Sequence, residues 1–364
     1  MVSPGTELPE PDLTHHGDRD LVAGLVDFAV NVRDVRPPQW LVQVLSRPER
    51  WAAYPDPSRA RAAIARRHGV DETQVLPCAG AAEAFTLVAR GLGVARGLGV
   101  ARGSGVRRAC VVHPQFTEPE QALRVAGVPV ERVVLSEPFE LDCSLIPDDA
   151  DLVVIGNPTN PTGVLHPADV LQELVRPERV LLVDEAFLDA VPGEPETMIK
   201  RDMAGVLVTR SLTKTFSLAG LRAGYVVGDP ELVAQLAAVQ TPWSVSAPAA
   251  DAMVACSSPQ AVAWAHQVAE QVVRDREQMI TLLSAAGVRV CADSSAPFVL
   301  IDTSAIGPGS QREPLSQLGF SVRRGESFPG LGEQHLRLAV RDPRVARELS
   351  QALATLAPSG RTNA

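Results

Sequence analysis

Cysteine is sparse in this chain, tyrosine sparser still, and there is neither a basic block nor a long apolar run. The five cysteines, Cys78, Cys110, Cys143, Cys256 and Cys291, lie far apart and form no CxxC pair or ligand-like cluster. Their odd number argues against a simple disulfide scaffold, no metal site is expected, and a reduced, cytoplasmic setting fits best. Tyr54 and Tyr225 are the only tyrosines. No stretch approaches the ~18 uncharged apolar residues of a spanning helix. The acidic, proline-bearing opening MVSPGTELPEPDLTHHGDRD has no apolar core of the signal-peptide kind. Positive charge is also short: 34 Lys and Arg against 43 Asp and Glu give a formal net charge of -9. The basic residues are dispersed, which argues against a nucleic-acid or acidic-membrane surface.

What the chain does have is length and apolar content: 364 residues, 45% of them hydrophobic, enough for a large core and more than one lobe. Short valine-rich runs at 107–113, 130–135, 151–156, 179–185, 205–211 and 223–228 alternate with amphipathic segments such as PEQALRVAG and PADVLQELVR. Strands polar on neither face and spaced by helices predict a mostly parallel sheet covered on both sides. A long helical pattern over 247–286, with a break near Ser257–Pro259, leads to strand-like pieces at 288–292, 297–302, 320–325 and 335–340 and a final helix, DPRVARELSQALATLA. The resulting division is an N-terminal arm with part of a small domain (1–45), a large domain (46–245), and an interdomain helix with a small α+β domain (246–364). The doubled GLGVAR at 91–102 is too short for a repeat architecture and reads as a helix end running into a loop.

In parallel sheets ligands sit beyond the carboxyl ends of the strands, so the residues that follow each run matter most. NPTNPTG (157–163) follows the 151–156 run, Asp184 and Glu185 close the next, and Ser211 and Lys214 follow the one after that. In PCAGAAEAF, Gly80 opens a helix whose first amides favour a phosphate. Each has an ordinary alternative: a solvated lysine, a sheet-edge carboxylate, a tight turn, a common helix start. Taken together they gather an anion-binding helix start, an amide, a carboxylate, an amine and the guanidinium of Arg222 at one rim.

The order GAAE, NPTG, DEAF, SLTK and GLRAGY resembles the fold type I pyridoxal-phosphate enzymes over roughly residues 15–355. Within the class I/II aminotransferase superfamily it is similar to the branch of histidinol-phosphate aminotransferases and L-threonine-O-3-phosphate decarboxylases. The resemblance implies the aspartate aminotransferase fold, with a large mixed, mostly parallel α/β domain and a small α+β domain. It implies pyridoxal 5'-phosphate bound covalently by Lys214, with Asp184 at the pyridine nitrogen and Asn160 at the phenolic oxygen. Ser211, Arg222 and the Gly80, Ala81 and Ala82 helix start would hold the cofactor phosphate, and Phe116 would lie over the ring. Tyr54, in AAYPDP, matches a tyrosine that reaches the neighbouring subunit's cofactor phosphate, which implies a homodimer. Toward the substrate, Arg337 would clamp a carboxylate and Arg323 would lie near a phosphate, with Arg324 beside it exposed. Asn31 and His16 would line the same side.

The HHGD opening, Phe187 in DEAFLD where many aminotransferases carry a tyrosine, and RRGESFPGL tilt the expectation within that branch. They favour a threonine-phosphate decarboxylase making (R)-1-amino-2-propanol phosphate for cobalamin. The alternative is an aminotransferase acting on histidinol phosphate or a related amino acid with 2-oxoglutarate. A non-catalytic module on the same fold is the remote third reading. Departures from the pattern cluster on the substrate side: Arg33-Asp34 where Asn-Pro is expected, HGD for HGG, and Pro119 for an aromatic. Arg33 has two readings, a substrate-anion ligand or a solvated side chain.

Overall fold

The computed structural model describes residues 10–32, 36–93, 105–199 and 201–357. In chain order it contains β1 (Val26–Asp27), α1 (Gln39–Leu45), α2 (Ser58–His68), β2 (Val75–Cys78), α3 (Ala81–Gly93), β3 (Ala109–His113), α4 (Glu118–Val125) and β4 (Val130–Val134). There follow β5 (Leu152–Gly156), α5 (Ala168–Gln172), β6 (Val180–Asp184), β7 (Val206–Ser211), β8 (Gly224–Gly228), α6 (Pro230–Val239), α7 (Ala247–Cys256) and α8 (Pro259–Ala285). The chain ends with β9 (Arg289–Val290), β10 (Phe298–Asp302), α9 (Arg312–Gln317), β11 (Phe320–Ser321), β12 (Arg323–Arg324), β13 (His335–Ala339) and α10 (Pro343–Leu356).

Seven strands form the large sheet in the order β2-β8-β7-β6-β5-β3-β4. Strands β3 to β7 run parallel, and β8 is antiparallel to both its neighbours. The apolar runs are buried on both faces because alternate residues serve different cores. Val153, Ile155, Leu181, Val183, Val206 and Val208 join one cluster with Leu41, Ile64 and the inward face of α7. Leu152, Val154, Leu182 and Leu207 join another with Phe85, Leu87 and Leu236. The mostly parallel sheet read from the sequence is present; edge strand β2 was not anticipated, its four residues being too short a run to stand out.

The smaller sheet, β12-β13-β10-β9, packs on α10 and the end of α8 through Phe28, Met279, Val299, Leu336, Leu338 and Leu353. The N-terminal segment reaches it through β1, which pairs in parallel with β11. The expected strand at 320–325 divides at Val322 between two sheets, β11 with β1 and β12 with β13. The expected helix break falls at Ser257–Ser258, where the Ser258 hydroxyl accepts from the Ala261 N–H at 3.2 Å and caps α8. Helix α7 before the break packs in the large core, on the far side of the expected division at 245. Between the lobes, Glu137 accepts from Arg289 and lies 3.8 Å from His335 Nε2. The GLGVAR repeat begins at the end of α3; its residues 94–102, like Arg33 and Asp34, lie outside the described residues. No helix among the described residues is long and apolar enough to cross a membrane.

Candidate functional site

The carboxyl ends of β5, β6 and β7 meet at one rim because their register is fixed by the ladder: Gly156 lies opposite Asp184, and Asp184 opposite Thr209. Asp184 Oδ1 accepts from the Thr209 hydroxyl at 2.7 Å and the Ala186 N–H at 3.2 Å. Oδ2 takes no hydrogen bond among the described residues. Burial pushes the Asp184 carboxyl up to about 6, against the pull of Thr209, Ala186 and Lys214. Such a carboxyl is short of a cationic partner. Lys214 follows β7, with its Nζ 5.8 Å from the centre of the Phe187 ring. Burial first, then the charges of Arg337 and Arg222, bring its amine down to about 8, with Asp184 opposing. A lysine held there is partly neutral near pH 8 and able to attack a carbonyl.

Beside this pair is a cradle shaped by two glycines. Gly80, at φ +82°, immediately precedes α3, and a Cβ on it would stand 2.8 Å from Arg222 Nη2. Gly224 would place a Cβ 2.8 Å from the Ala81 nitrogen. Only residues without a side chain let the helix start, the Arg222 guanidinium and the first residue of β8 converge. Ser211, buried at the end of β7, pairs in register with Gly224. The first turn of α3 leaves the Ala81 and Ala82 amides without intrahelical partners, and the macrodipole favours an anion there. Arg222 is exposed and left-handed at φ +58°, a conformation that turns its fork back over Gly80.

The turn 157–163 is clamped on both sides. Asn157 exchanges hydrogen bonds with the His166 backbone at 3.0 and 2.8 Å. Gly163, at φ +79°, packs so closely on Ser294 that a Cβ would fall 2.0 Å from its Oγ. The clamped turn presents Asn160, whose Oδ1 accepts from Arg337 Nη1 at 2.8 Å. Arg337 also donates from Nη2 to the Ala29 carbonyl, while its buried Nε has no partner. Its guanidinium lies 5.4 Å from the Phe298 ring centre, with no carboxylate paired to it among the described residues. A buried cation without a counterion is costly unless a ligand supplies one. Both amide atoms of buried Asn31 are likewise unpartnered.

The N-terminal arm crosses this side. The Leu13 carbonyl accepts from the Thr117 hydroxyl at 2.8 Å. The His16 ring lies 5.6 Å from that of Phe116, and its Nε2 is 3.1 Å from Glu118. Arg323 does not present a free fork: Nη1 donates to Asp20 and Nη2 to the His15 carbonyl, each at 2.9 Å. Arg324, expected to be exposed, is half-buried and donates to the same Asp20 at 3.0 Å. Asp18, which replaces the second glycine of HGG, faces solvent, and Pro119 lies in the first turn of α4. Tyr54 stands apart, 78% exposed and stacked on Trp243 at 4.5 Å.

The residues present fit pyridoxal phosphate on their own geometry: a glycine-lined anion cradle, a half-neutral lysine, a carboxyl lacking its cation and an amide whose oxygen is already engaged. Lys214 would hold it covalently, Asp184 at the ring nitrogen, Asn160 through its free Nδ2, and Ser211, Arg222 and the α3 amides at the phosphate. When bound, the group supplies a carbonyl for amine substrates and a ring that withdraws electrons from the substrate α-carbon. Fold and site together define a pyridoxal-phosphate-dependent enzyme of fold type I.

Comparison with known proteins makes the assignment more specific. Residues 23–353 match the model of aminotransferase class I and II, and the chain belongs to that family. It is 46% identical to a histidinol-phosphate aminotransferase of Mycobacterium tuberculosis, over 90% of this chain and 86% of that protein. It is 29% identical to the threonine-phosphate decarboxylase of Salmonella typhimurium, over 92% and 93% of the two chains. Among solved structures, histidinol-phosphate aminotransferase from Clostridium acetobutylicum superposes with a TM-score of 0.80 at 23% identity, covering 91% of this chain and 99% of that one. L-threonine-O-3-phosphate decarboxylase from Porphyromonas gingivalis gives 0.75 at 22% over 91% and 99%; both confirm the fold.

Three contributors were not anticipated from sequence. Thr209 could have been found, since strand alternation and parallel register put it beside Asp184. Asp20 could not, because the arginines that bind it most closely lie some three hundred residues away in β12. Gly17 looks like any loop glycine, yet a Cβ there would be 2.9 Å from the Ala29 carbonyl and 3.6 Å from Arg337 Nη2.

Proposed function

We propose that this enzyme is an aminotransferase for a phosphorylated amino compound of the histidinol-phosphate kind, with 2-oxoglutarate as amine acceptor. The observation that carries the reading is the unneutralised Arg337 beside Lys214, in a chain whose similarity to a histidinol-phosphate aminotransferase far exceeds that to the decarboxylases. This reverses the order in which the sequence motifs ranked the two reactions. Arg337 receives the anionic group next to the substrate's amine-bearing carbon, carboxylate or phosphate in turn. Its bond to Asn160 fixes that anion relative to the cofactor site. Lys214 Nζ, partly neutral, then takes the proton from the α-carbon and would give it up again on the cofactor side. The amine passes finally to 2-oxoglutarate by the same steps reversed. Asp184 holds the positive charge of the ring nitrogen.

A decarboxylase is the second reading, favoured by the arm whose His16 meets Phe116 and by Phe187, which offers no hydrogen-bond donor. In that reaction the carboxylate leaves as CO2 and the α-carbon receives the proton. The two separate in one assay: histidinol phosphate with 2-oxoglutarate, and threonine phosphate alone. Glutamate formation that requires the acceptor supports the aminotransferase; CO2 release without acceptor overturns it. The exposed Tyr54–Trp243 pair supports a homodimer in which Tyr54 serves the neighbouring site. The five free cysteines suit a cytoplasmic enzyme.

A further inference from the structure

Strands β12 and β13 place Arg323 directly opposite Arg337, so the two guanidinium groups share one face of the small sheet. They are treated very differently. Arg337 has no carboxylate partner, whereas Arg323 faces Asp20, a carboxylate brought in by the N-terminal arm. Asp20 is supplied with more donors than one carboxylate needs. Oδ2 accepts from Arg323 Nη1 at 2.9 Å and the Arg324 N–H at 3.4 Å. Oδ1 accepts from Arg324 Nε at 3.0 Å and lies 3.1 Å from His15 Nε2 and 3.5 Å from Arg312 Nη1. Three arginines thus converge on one fully buried side chain, with Glu326, 3.9 Å from Arg324, the other acid nearby.

The arm that carries Asp20 is a strap between two anchors. Leu13 is tied to Thr117 at one end, and the Val22 N–H donates to the Ser321 hydroxyl at 3.0 Å at the other. Between them the chain makes a four-residue turn, Gly17–Asp20, without a side-chain cap. Gly17 crosses over both arginines, 3.5 Å from Arg323 Cδ and 3.6 Å from Arg337 Nη2 as measured from its missing Cβ.

We propose that Asp20 is an internal stand-in for the substrate phosphate that Arg337 receives, holding the donors directly beside that arginine until substrate enters. Its carboxylate occupies a pocket built by Arg323, Arg324 and Arg312, and a phosphate monoester enters by displacing it and lifting residues 14–21. A dianion with three terminal oxygens satisfies the same donors better than a carboxylate with two. It also replaces one negative charge by two among three positive ones. Asp20 is then a specificity-determining residue: with the strap down, a neutral side chain finds no open cationic pocket, and an anionic one must compete. The apparent affinity for the anion is lowered by the fraction of time the strap is open, about tenfold if it is open one-tenth of the time. This assignment rests on the proposed phosphorylated substrate, but its test does not use turnover.

The strap carries a built-in reporter, the exposed Arg19, which trypsin cleaves only when its backbone is free to leave the turn. Holoenzyme is titrated with inorganic phosphate, the cofactor's own phosphate site being filled, and cleavage after Arg19 is followed. Saturable acceleration of that cut in the unaltered protein is expected, with phosphate binding by calorimetry at least tenfold tighter in Asp20→Asn than in the parent or an Asp18→Asn control. Cleavage indifferent to phosphate, or affinity unchanged within twofold in Asp20→Asn, overturns the proposal and makes Asp20 a fixed ion-pair partner. If Asp20→Asn loses its bound cofactor, the unaltered protein's cleavage response alone decides. Phosphate-driven opening without transamination would sink the proposed reaction and leave the strap standing; transamination without opening would do the reverse.

Discussion

Arg337 Nη1 donates to Asn160 Oδ1 at 2.8 Å, so the residue proposed to receive the substrate anion and the residue proposed to face the cofactor oxygen are one hydrogen-bonded pair. The bond joins β13 of the small sheet to the turn after β5 of the large one. It also fixes the Asn160 amide: with Oδ1 accepting from arginine, Nδ2 is the end left to donate. Replacing Asn160 by Asp would set a carboxylate against the guanidinium and neutralise it. Asn160→Asp is therefore expected to raise KM for an anionic substrate at least about tenfold, a hydrogen bond to a charged group contributing about 1.5–3 kcal/mol. Steady-state kinetics with the amino donor check this; an unchanged KM would show that the anion does not bind Arg337.

Lys214 offers a test in pH. Its amine is brought to about 8 by burial and by the charges of Arg337 and Arg222. Cofactor-free protein should react with pyridoxal phosphate at a rate that climbs with pH and levels off above about 8, as the neutral amine becomes dominant. Arg337→Gln removes a neighbouring positive charge and should shift that midpoint upward, toward the ordinary lysine value of 10.5. Lys214→Ala should abolish the absorbance of lysine-bound cofactor and lower kcat by at least about 10²–10⁴-fold. A rate profile that does not move in Arg337→Gln would separate the two residues electrostatically.

The parts of this site legible in sequence are those set by local pattern. Lys214, Asp184, Asn160 and Gly80 each follow or precede a short apolar run, and sheet geometry alone carries such positions to a common rim. The sheet itself was legible for the same reason, because strands buried on both faces read as unbroken apolar runs. What escaped was long-range pairing. Asp20 and Arg323 are joined across 303 positions, and nothing local distinguishes either from a solvated charge. The order of the two candidate reactions escaped as well, since Phe187 and the HHGD arm describe surroundings that either chemistry tolerates.

Tyr54 gives a prediction that depends on two subunits. It is exposed and stacked on Trp243, itself exposed and at φ +60°. In a homodimer where Tyr54 completes the neighbouring site, Tyr54→Ala and Lys214→Ala subunits are each defective alone. A mixed dimer has one site carrying both defects and one carrying neither. Denaturing and refolding an equal mixture should restore activity that neither parent shows. Absence of recovery, with mixed dimers demonstrated by differently tagged subunits, would confine Tyr54 to its own chain.

Beneath the rim, Arg210 bridges Glu185 at 2.8 Å and Glu194 at 2.7 Å, and its Nη2 donates to the Thr197 hydroxyl at 3.0 Å. Burial pushes the Glu194 carboxyl up, but the charges of Arg210 and Arg67 overcome this and hold it at about 2. Arg210→Ala leaves Glu185 buried without its cation, and Glu194 with Arg67 alone, at 3.3 Å. Breaking a buried pair by removing one partner costs about 3–5 kcal/mol. Urea denaturation of the cofactor-loaded protein at pH 7 should show a loss of that size. Because Glu194 is depressed from 4.5 in the folded state, its contribution is complete above pH 4.5 and disappears as pH falls toward about 2. The deficit of Arg210→Ala should accordingly shrink as the measurement is taken below pH 4.5. A loss under about 1 kcal/mol at pH 7, or one independent of pH over that window, would mean that packing rather than charge holds this layer together.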